Sequence, residues 1–211
     1  MSLKLDRNGL VAVMPWAFIA CFVASAMLAQ ASSDIEPWRE RAPIEYFTGG
    51  LLWMCSVLFL LTALSPSRRK GGVVFWLAGC VVLSMLAIDE AMAGHEWVEA
   101  NWRINDDYPK IVLLLATAWV LHTVYGYVGP DSEIKRLFGI GYIFQCLYII
   151  FEISDGEFYD ASAIIAVSSA KWGEELSELC FLAAYWLGFF RVHQRIVQPS
   201  PEGGDDGLPS R

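Results

Sequence analysis

The sequence predicts an all-α polytopic membrane bundle of six transmembrane helices with both termini cytoplasmic. Composition is the first of three observations behind this: 55% of the 211 residues are hydrophobic and only 18% are charged, against about 25% charge in an average soluble domain. Mean hydropathy is +0.42. The second is distribution, because the apolar residues fall in long blocks rather than in strict alternation. The third is the sorting of charge, with ten of the 15 basic residues on one side of the blocks and 17 of the 23 acids in the opposite loops or the opposite halves of the helices. The formal net charge of −8 disfavours a nucleic-acid partner.

The first block runs from about Leu10 to Ala31. Lys4 and Arg7 precede it, and Ala29-Gln30-Ala31 resembles a signal cleavage site. A signal core is usually about 7–15 residues. This block is longer, so a retained helix is expected. The second and third blocks run from about Thr48 to Leu64 and from about Val73 to Ala93. The fourth and fifth run from about Pro109 to Val128 and from about Leu137 to Ile153. The sixth runs from about Ala161 to Phe190. A bilayer core needs roughly 20 apolar residues per helix; blocks two and five are slightly short, and block six is long.

Orientation follows from the bases. Lys4, Arg7, Arg68, Arg69, Lys70, Lys135, Arg136, Arg191, Arg195 and Arg211 share one side, which the positive-inside rule makes cytoplasmic. A bacterial inner membrane is the expected location. Residues 1–198 form the expected six-helix transmembrane domain. Residues 199–211, rich in Gly, Pro and acid, are expected to be a disordered acidic tail. Ser65-Pro66-Ser67 and Gly129-Pro130-Asp131 read as turns. Trp38, Trp97, Trp102 and Trp172 cluster toward the outer side, as interfacial anchors do. Cys21, Cys55, Cys80, Cys146 and Cys180 all fall within spans, are not spaced as C-x-x-C, and read as small packing residues.

Acidic loops merely obey topology, but acids inside apolar spans do not. A charge at the centre of a membrane helix costs at least about 2.5–3.5 kcal/mol on insertion scales, and such residues usually face the bundle interior. Span three ends in Asp89-Glu90-Ala91-Met92-Ala93-Gly94-His95-Glu96 and is expected to continue as helix to about Trp102. On a helix Asp89 and Glu96 share a face, with His95 and Glu99 to one side of it and Glu90 to the other. Asp89 with Glu96, or Glu90 alone, are the natural contributors to a single centre. Glu152 lies near the outer end of span five. In span six, Glu174, Glu175 and Glu178 have i,i+3 and i,i+4 spacings that put all three on one side, bordered by Lys171.

Depth ties these groups together. Counted from the cytoplasmic ends, Asp89 lies about 16 steps in, Glu152 about 15, Glu174 about 16 and Glu178 about 12, or roughly 18–24 Å at the helical rise. Acids from three spans at one level suggest a shared pocket. Such a pocket needs protons, a basic partner or a metal cation. Lys171 and Arg103 supply candidate charges. Carboxylates with a histidine suit a divalent metal ion such as iron, manganese or zinc, and the candidate ligands are Asp89, Glu90, His95, Glu96, Glu152, Glu174, Glu175 and Glu178. The Glu-x-x-His pair of dimetal bundles is lacking; Glu175-x-x-Glu178 with His95 is the nearest substitute. His122 reads as a hydrogen-bonded packing residue, and His193 as a solvated interface residue. Tyr185 continues the Glu178 face one or two turns inward, where it could extend the pocket, and reads first as a core aromatic.

The motifs Asp89-Glu90, His95-Glu96, Glu152 and Glu174-Glu175-x-x-Glu178 resemble those of a family of uncharacterised prokaryotic polytopic membrane proteins. The resemblance spans helices three to six and implies no substrate. Intramembrane zinc hydrolases related to ceramidases look different, since they need three histidine ligands including a His-x-x-x-His pair. His95, His122 and His193 are too widely spaced to match.

Three function classes are therefore expected to compete. The first is a metal-binding membrane protein, including a carboxylate-bridged oxidoreductase or hydrolase with a spare carboxylate as proton acceptor. The second is a proton- or cation-coupled small transporter. The third is a non-catalytic subunit of a membrane complex, with the acids in a Lys171-centred network. The lipid bilayer is the expected partner in all three, with a homo-oligomer or a larger membrane complex as further partners.

Overall fold

The computed structural model describes residues 7–33, 43–65, 72–92, 107–128, 131–155 and 164–197, with side chains described for 13–33, 43–65, 72–88, 112, 114–126, 131–151 and 171–197. Within these residues there are six α-helices and no strand. They are α1 (Arg7–Ala31), α2 (Pro43–Leu64), α3 (Val73–Met92), α4 (Asp107–Val128), α5 (Ser132–Asp155) and α6 (Ile164–Val197). Three stretches are long and apolar enough to cross a membrane: Val13–Ala31, Pro43–Leu64 and Ser132–Phe151. Val73–Ile88 and Leu114–Gly126 are shorter apolar helices. The proposed tail, Trp38, Trp97, Trp102 and the expected extension of α3 toward Trp102 lie outside the described residues.

Local chemistry sets the helix ends. α2 begins at Pro43 rather than near Thr48, because proline fits the first helical position, where no N–H is needed. The Ile44 N–H then donates to Gln30 Oε1 of α1 at 3.4 Å, so a neighbouring helix caps this terminus. α5 begins at Ser132 rather than near Leu137. Asp131 is its N-cap, with Oδ1 accepting from the Glu133 and Ile134 N–H groups at 2.9 and 3.1 Å. α6 runs on to Val197, beyond Phe190, because Val192 still packs in the core.

The packing is centred on α6, whose residues 181–189 are all buried. Its most extensive partner is α5, and α2 is the next. α3 packs on the other side of α2, α1 lies against α2 and α6, and α4 makes sparser contact with α5 and α6. Cross-helix pairs give the register. Phe138 meets Phe189, and Tyr148 meets Phe181, so α5 and α6 are antiparallel. Phe59 of α2 lies edge-on to Phe189 and to Trp76 of α3, at centroid distances of 4.8 and 5.0 Å. Phe18 of α1 packs on Trp186 of α6.

Three glycines allow these rings to approach. A methyl group at Gly141 would overlap the Tyr185 ring, one at Gly188 the Phe138 ring, and one at Gly79 the Phe59 ring. A ring seated on bare backbone brings the helix axes together and fills the gap without a void. The outward faces carry exposed apolar side chains, among them Leu64, Val74, Met85, Leu115 and Trp119. An apolar exterior of this extent suits lipid, not water.

One end of the bundle, where α2, α4 and α6 finish and α3 and α5 begin, is fastened by polar contacts and is termed the basic end. Arg195 of α6 pairs with Asp131, and Arg191 with Glu133 at 3.2 Å. Thr62 Oγ1 of α2 lies 3.0 Å from His193 Nδ1 of α6. His193 was expected to be solvated. It is instead half-buried, because α6 continues past its apolar block and carries the imidazole against α2.

Two outcomes are expected. Gly141→Ala and Gly188→Ala should each lower stability by about 1–3 kcal/mol through overpacking, read as an earlier thermal melt in detergent. Gly126→Ala, where an added methyl meets nothing within 4 Å, should lack this effect. Burial also holds the His193 imidazole below its ordinary value, which is about 6.5. The unfolded chain therefore binds this proton at higher pH than the folded protein does. Stability from this group is present above about pH 6.5 and falls as pH drops from there through the folded value. Melting at pH 7 and pH 5 should show a loss in wild type that is smaller in His193→Gln.

Candidate functional site

The N-terminal half of α6, away from the basic end, has two chemically distinct sides. Trp172 and Leu176 point outward and are exposed. Glu174, Glu175 and Ser177 point inward and are buried, at 8%, 9% and 5% exposure. Glu178, one turn further, is half-buried. The i,i+3 and i,i+4 spacings thus place the carboxylates inward, as the helical period requires. Placing ionisable groups there is costly unless they are paired and hydrogen-bonded. Lys171 Nζ donates to Glu174 Oε2 at 2.9 Å, one turn along the same helix. Glu174, Glu175 and Glu178 are each engaged by at least one polar or charged neighbour.

α5 reaches the same level. The Phe151 ring lies 3.0 Å from where a Cβ would sit on Gly173, immediately before Glu174. The backbone of Glu152 follows Phe151, so α5 and α6 meet at the depth counted from the sequence. Asp89, Glu90 and Glu152 are helical by backbone, but their side chains lie outside the described residues, and so do His95 and Glu96 altogether. Among the described residues no group of three or more His, Cys, Asp or Glu is arranged to hold a metal ion. The three α6 glutamates do not form a metal centre by themselves. A centre of the expected kind would depend on ligands from α3 and α5.

Deeper in the bundle is a polar chain that contains no carboxylate. Tyr185 Oη of α6 donates to Gln145 Oε1 of α5 at 2.7 Å. Gln145 Nε2 donates to Thr117 Oγ1 of α4 at 3.3 Å. Gln145 and Tyr185 are 3% and 6% exposed. Tyr185 is seven residues beyond Glu178, and Gln145 seven before Glu152. Seven residues is close to two helical turns, so the chain lies on the same faces as those acids, about 10 Å nearer the basic end. The signal was present in the sequence as an amide in the middle of an apolar span. A second polar contact joins α2 and α3: Ser56 Oγ donates to the Cys80 carbonyl at 2.9 Å and lies 2.7 Å from Ser84 Oγ.

The remaining residues behave more simply. His122, expected to pack through a hydrogen bond, is exposed on α4 because it stands beside an open space that the packing of α4 on α5 leaves unfilled. The five cysteines are all free thiols on helices; Cys55 is buried and Cys21 exposed.

Residues 10–193 match a family described as a domain of unknown function, DUF8692. The chain belongs to the DUF8692 family. No curated protein and no solved structure matches it. The DUF8692 match takes in α2 to α5 whole and most of α1 and α6, so the carboxylate face and the buried Tyr185–Gln145–Thr117 chain both belong to the family domain.

Tyr185→Phe should leave the Gln145 carbonyl without its donor and cost about 1–3 kcal/mol in unfolding experiments. Adding Gln145→Leu to that variant should recover much of the loss, because an apolar pair of similar shape is tolerated where a half-satisfied polar pair is not.

Proposed function

We propose that this DUF8692 protein is a six-span integral membrane protein of the bacterial inner membrane, with both termini cytoplasmic, and that its outer half binds a cation in a carboxylate pocket. The observation that carries this reading is the inward burial of Glu174 and Glu175 on α6, in a bundle whose exterior is apolar. Carboxylates kept in such a place at a cost point to a binding role. The cation proposed first is a divalent metal ion, iron, manganese or zinc. Glu174, Glu175 and Glu178 are its proposed ligands from α6. Asp89, Glu90, His95, Glu96 and Glu152 would complete the set. Such a centre could serve a metal-dependent oxidoreductase or hydrolase, with one carboxylate left to accept a proton.

A second reading, a proton- or cation-coupled small transporter, is favoured by the Tyr185–Gln145–Thr117 chain. It extends buried polarity from the carboxylate level toward the basic end. Both readings use the same pocket and differ in whether the cation stays.

Elemental analysis of the purified protein, after incubation with each metal and desalting, tests the first. About one metal per chain is expected, with at least a tenfold loss of affinity in Glu175→Gln, the range typical for removing or weakening one ligand. Less than one metal per several chains would overturn it. Cation flux into proteoliposomes that is abolished in Glu178→Gln would establish the transporter. Co-purification with a larger complex, with Glu174→Gln tolerated, would point to a structural subunit.

A further inference from the structure

A groove of about 470 Å³ runs between α4 and α5 in the half of the bundle nearest the basic end, away from the carboxylates. Leu121, His122 and Tyr125 line it from α4, and Lys135, Gly139 and Tyr142 from α5. Its volume falls within the usual range of ligand pockets, about 300–1,000 Å³. Gly139 is part of its lining, and a Cβ added there would meet nothing within 4 Å. Packing between α4 and α5 therefore leaves this space unfilled.

The groove has a direction. α4 descends to the basic end and α5 rises from it, tied there by the hydrogen bond from Tyr125 Oη to the Asp131 carbonyl at 3.1 Å. Tyr125 and Lys135 therefore stand at the mouth. Tyr142 lies seven residues further along α5, about 10 Å deeper by the helical rise.

The mouth also carries a net charge. The nearby acids are turned toward α6, Asp131 to Arg195 and Glu133 to Arg191. Lys135 and its neighbour Arg136 are both exposed, and neither has an ion pair among the described residues. The result is a largely apolar slot with Lys135 in its lining and Arg136 next to it in sequence, two cations without an ion pair among the described residues. That arrangement suits a molecule with a hydrocarbon chain and an anionic head, since basic pockets beside membrane helices on the cytoplasmic side take up anionic lipid head groups.

We propose that the α4–α5 groove binds an anionic glycerophospholipid, one acyl chain lying against Gly139 and Tyr142 and the phosphate held at the mouth by Lys135 and Arg136. This rests on the membrane orientation given under the proposed function, but not on the carboxylate pocket. The lipid would act as a structural ligand, completing the interface between α4 and α5.

The test uses the full chain in detergent, stripped of lipid and titrated with phosphatidylglycerol, phosphatidylcholine or inorganic phosphate, with binding followed by native mass spectrometry and thermal melting. Phosphatidylglycerol is expected to bind and raise the melting temperature, with little effect from the other two. Lys135→Gln should weaken binding about fivefold, and Lys135→Gln with Arg136→Gln about 25-fold, as expected for removing one and two surface cations from an anionic lipid. Gly139→Leu should block binding by filling the slot. The lysine and arginine variants alter exposed side chains and keep the test open if Gly139→Leu does not fold. Equal binding of phosphatidylcholine, an equal effect of phosphate alone, or unchanged lipid affinity in the double variant would each overturn the proposal. So would cross-linking from position 139 to a protein instead of lipid. Carbonate extraction of membranes separates the two readings: release of the chain would defeat the membrane assignment, whereas retention without lipid binding defeats only this inference.

Discussion

The constraint on which the structure depends is the rotation of α6 about its own axis. Its N-terminal half carries Glu174, Glu175 and Ser177 on one side and Trp172 and Leu176 on the other. In an apolar surrounding only one rotation puts the acids among protein groups and the apolar side chains outward. That rotation, continued along the helix, aims Phe181, Tyr185 and Phe189 at α5 and α2, and Trp186 at α1. The hub position of α6 and the inward acids are thus two results of one energetic choice.

Hydrogen bonds supply what apolar packing cannot. In a bilayer the hydrophobic effect does not drive helix against helix, so close packing and polar contacts must do so. The bundle divides this work by location. Rings seated on Gly79, Gly141 and Gly188 provide close packing between α2 and α3 and between α5 and α6. Ser56 with Ser84, Tyr185 with Gln145 and Thr117, and Thr62 with His193 each join helices by hydrogen bonds among buried or half-buried groups. These contacts fix axial register, which smooth apolar faces leave undetermined.

The helical class and approximate spans were legible because apolar blocks leave a signal that does not depend on partners. Boundaries were less so: the early start of α2 depends on Gln30 of another helix, and that of α5 on the Asp131 cap. The inward turn of Glu174 and Glu175 could be read from helical spacing alone. The pairing of Lys171 with Glu174 could be read in the same way. Gln145 could have been singled out as a polar residue in mid-span, but its partners Thr117 and Tyr185 come from two other helices, and one chain's periodicity does not rank such pairings. His193 was misjudged for a related reason: whether an imidazole near a helix end is wet depends on whether Thr62 of α2 reaches it.

The way α4 is attached has a mechanical consequence. Among the described residues it accepts a hydrogen bond from Gln145 of α5 at Thr117, donates one from Tyr125 to the Asp131 carbonyl, touches α3 through Phe75 and Trp119, and makes sparse contact with α6. It has no ring seated on glycine, among the described residues, of the kind that joins α5 to α6. Displacing α4 would therefore break isolated polar contacts and leave the ring-on-glycine seam between α5 and α6 in place.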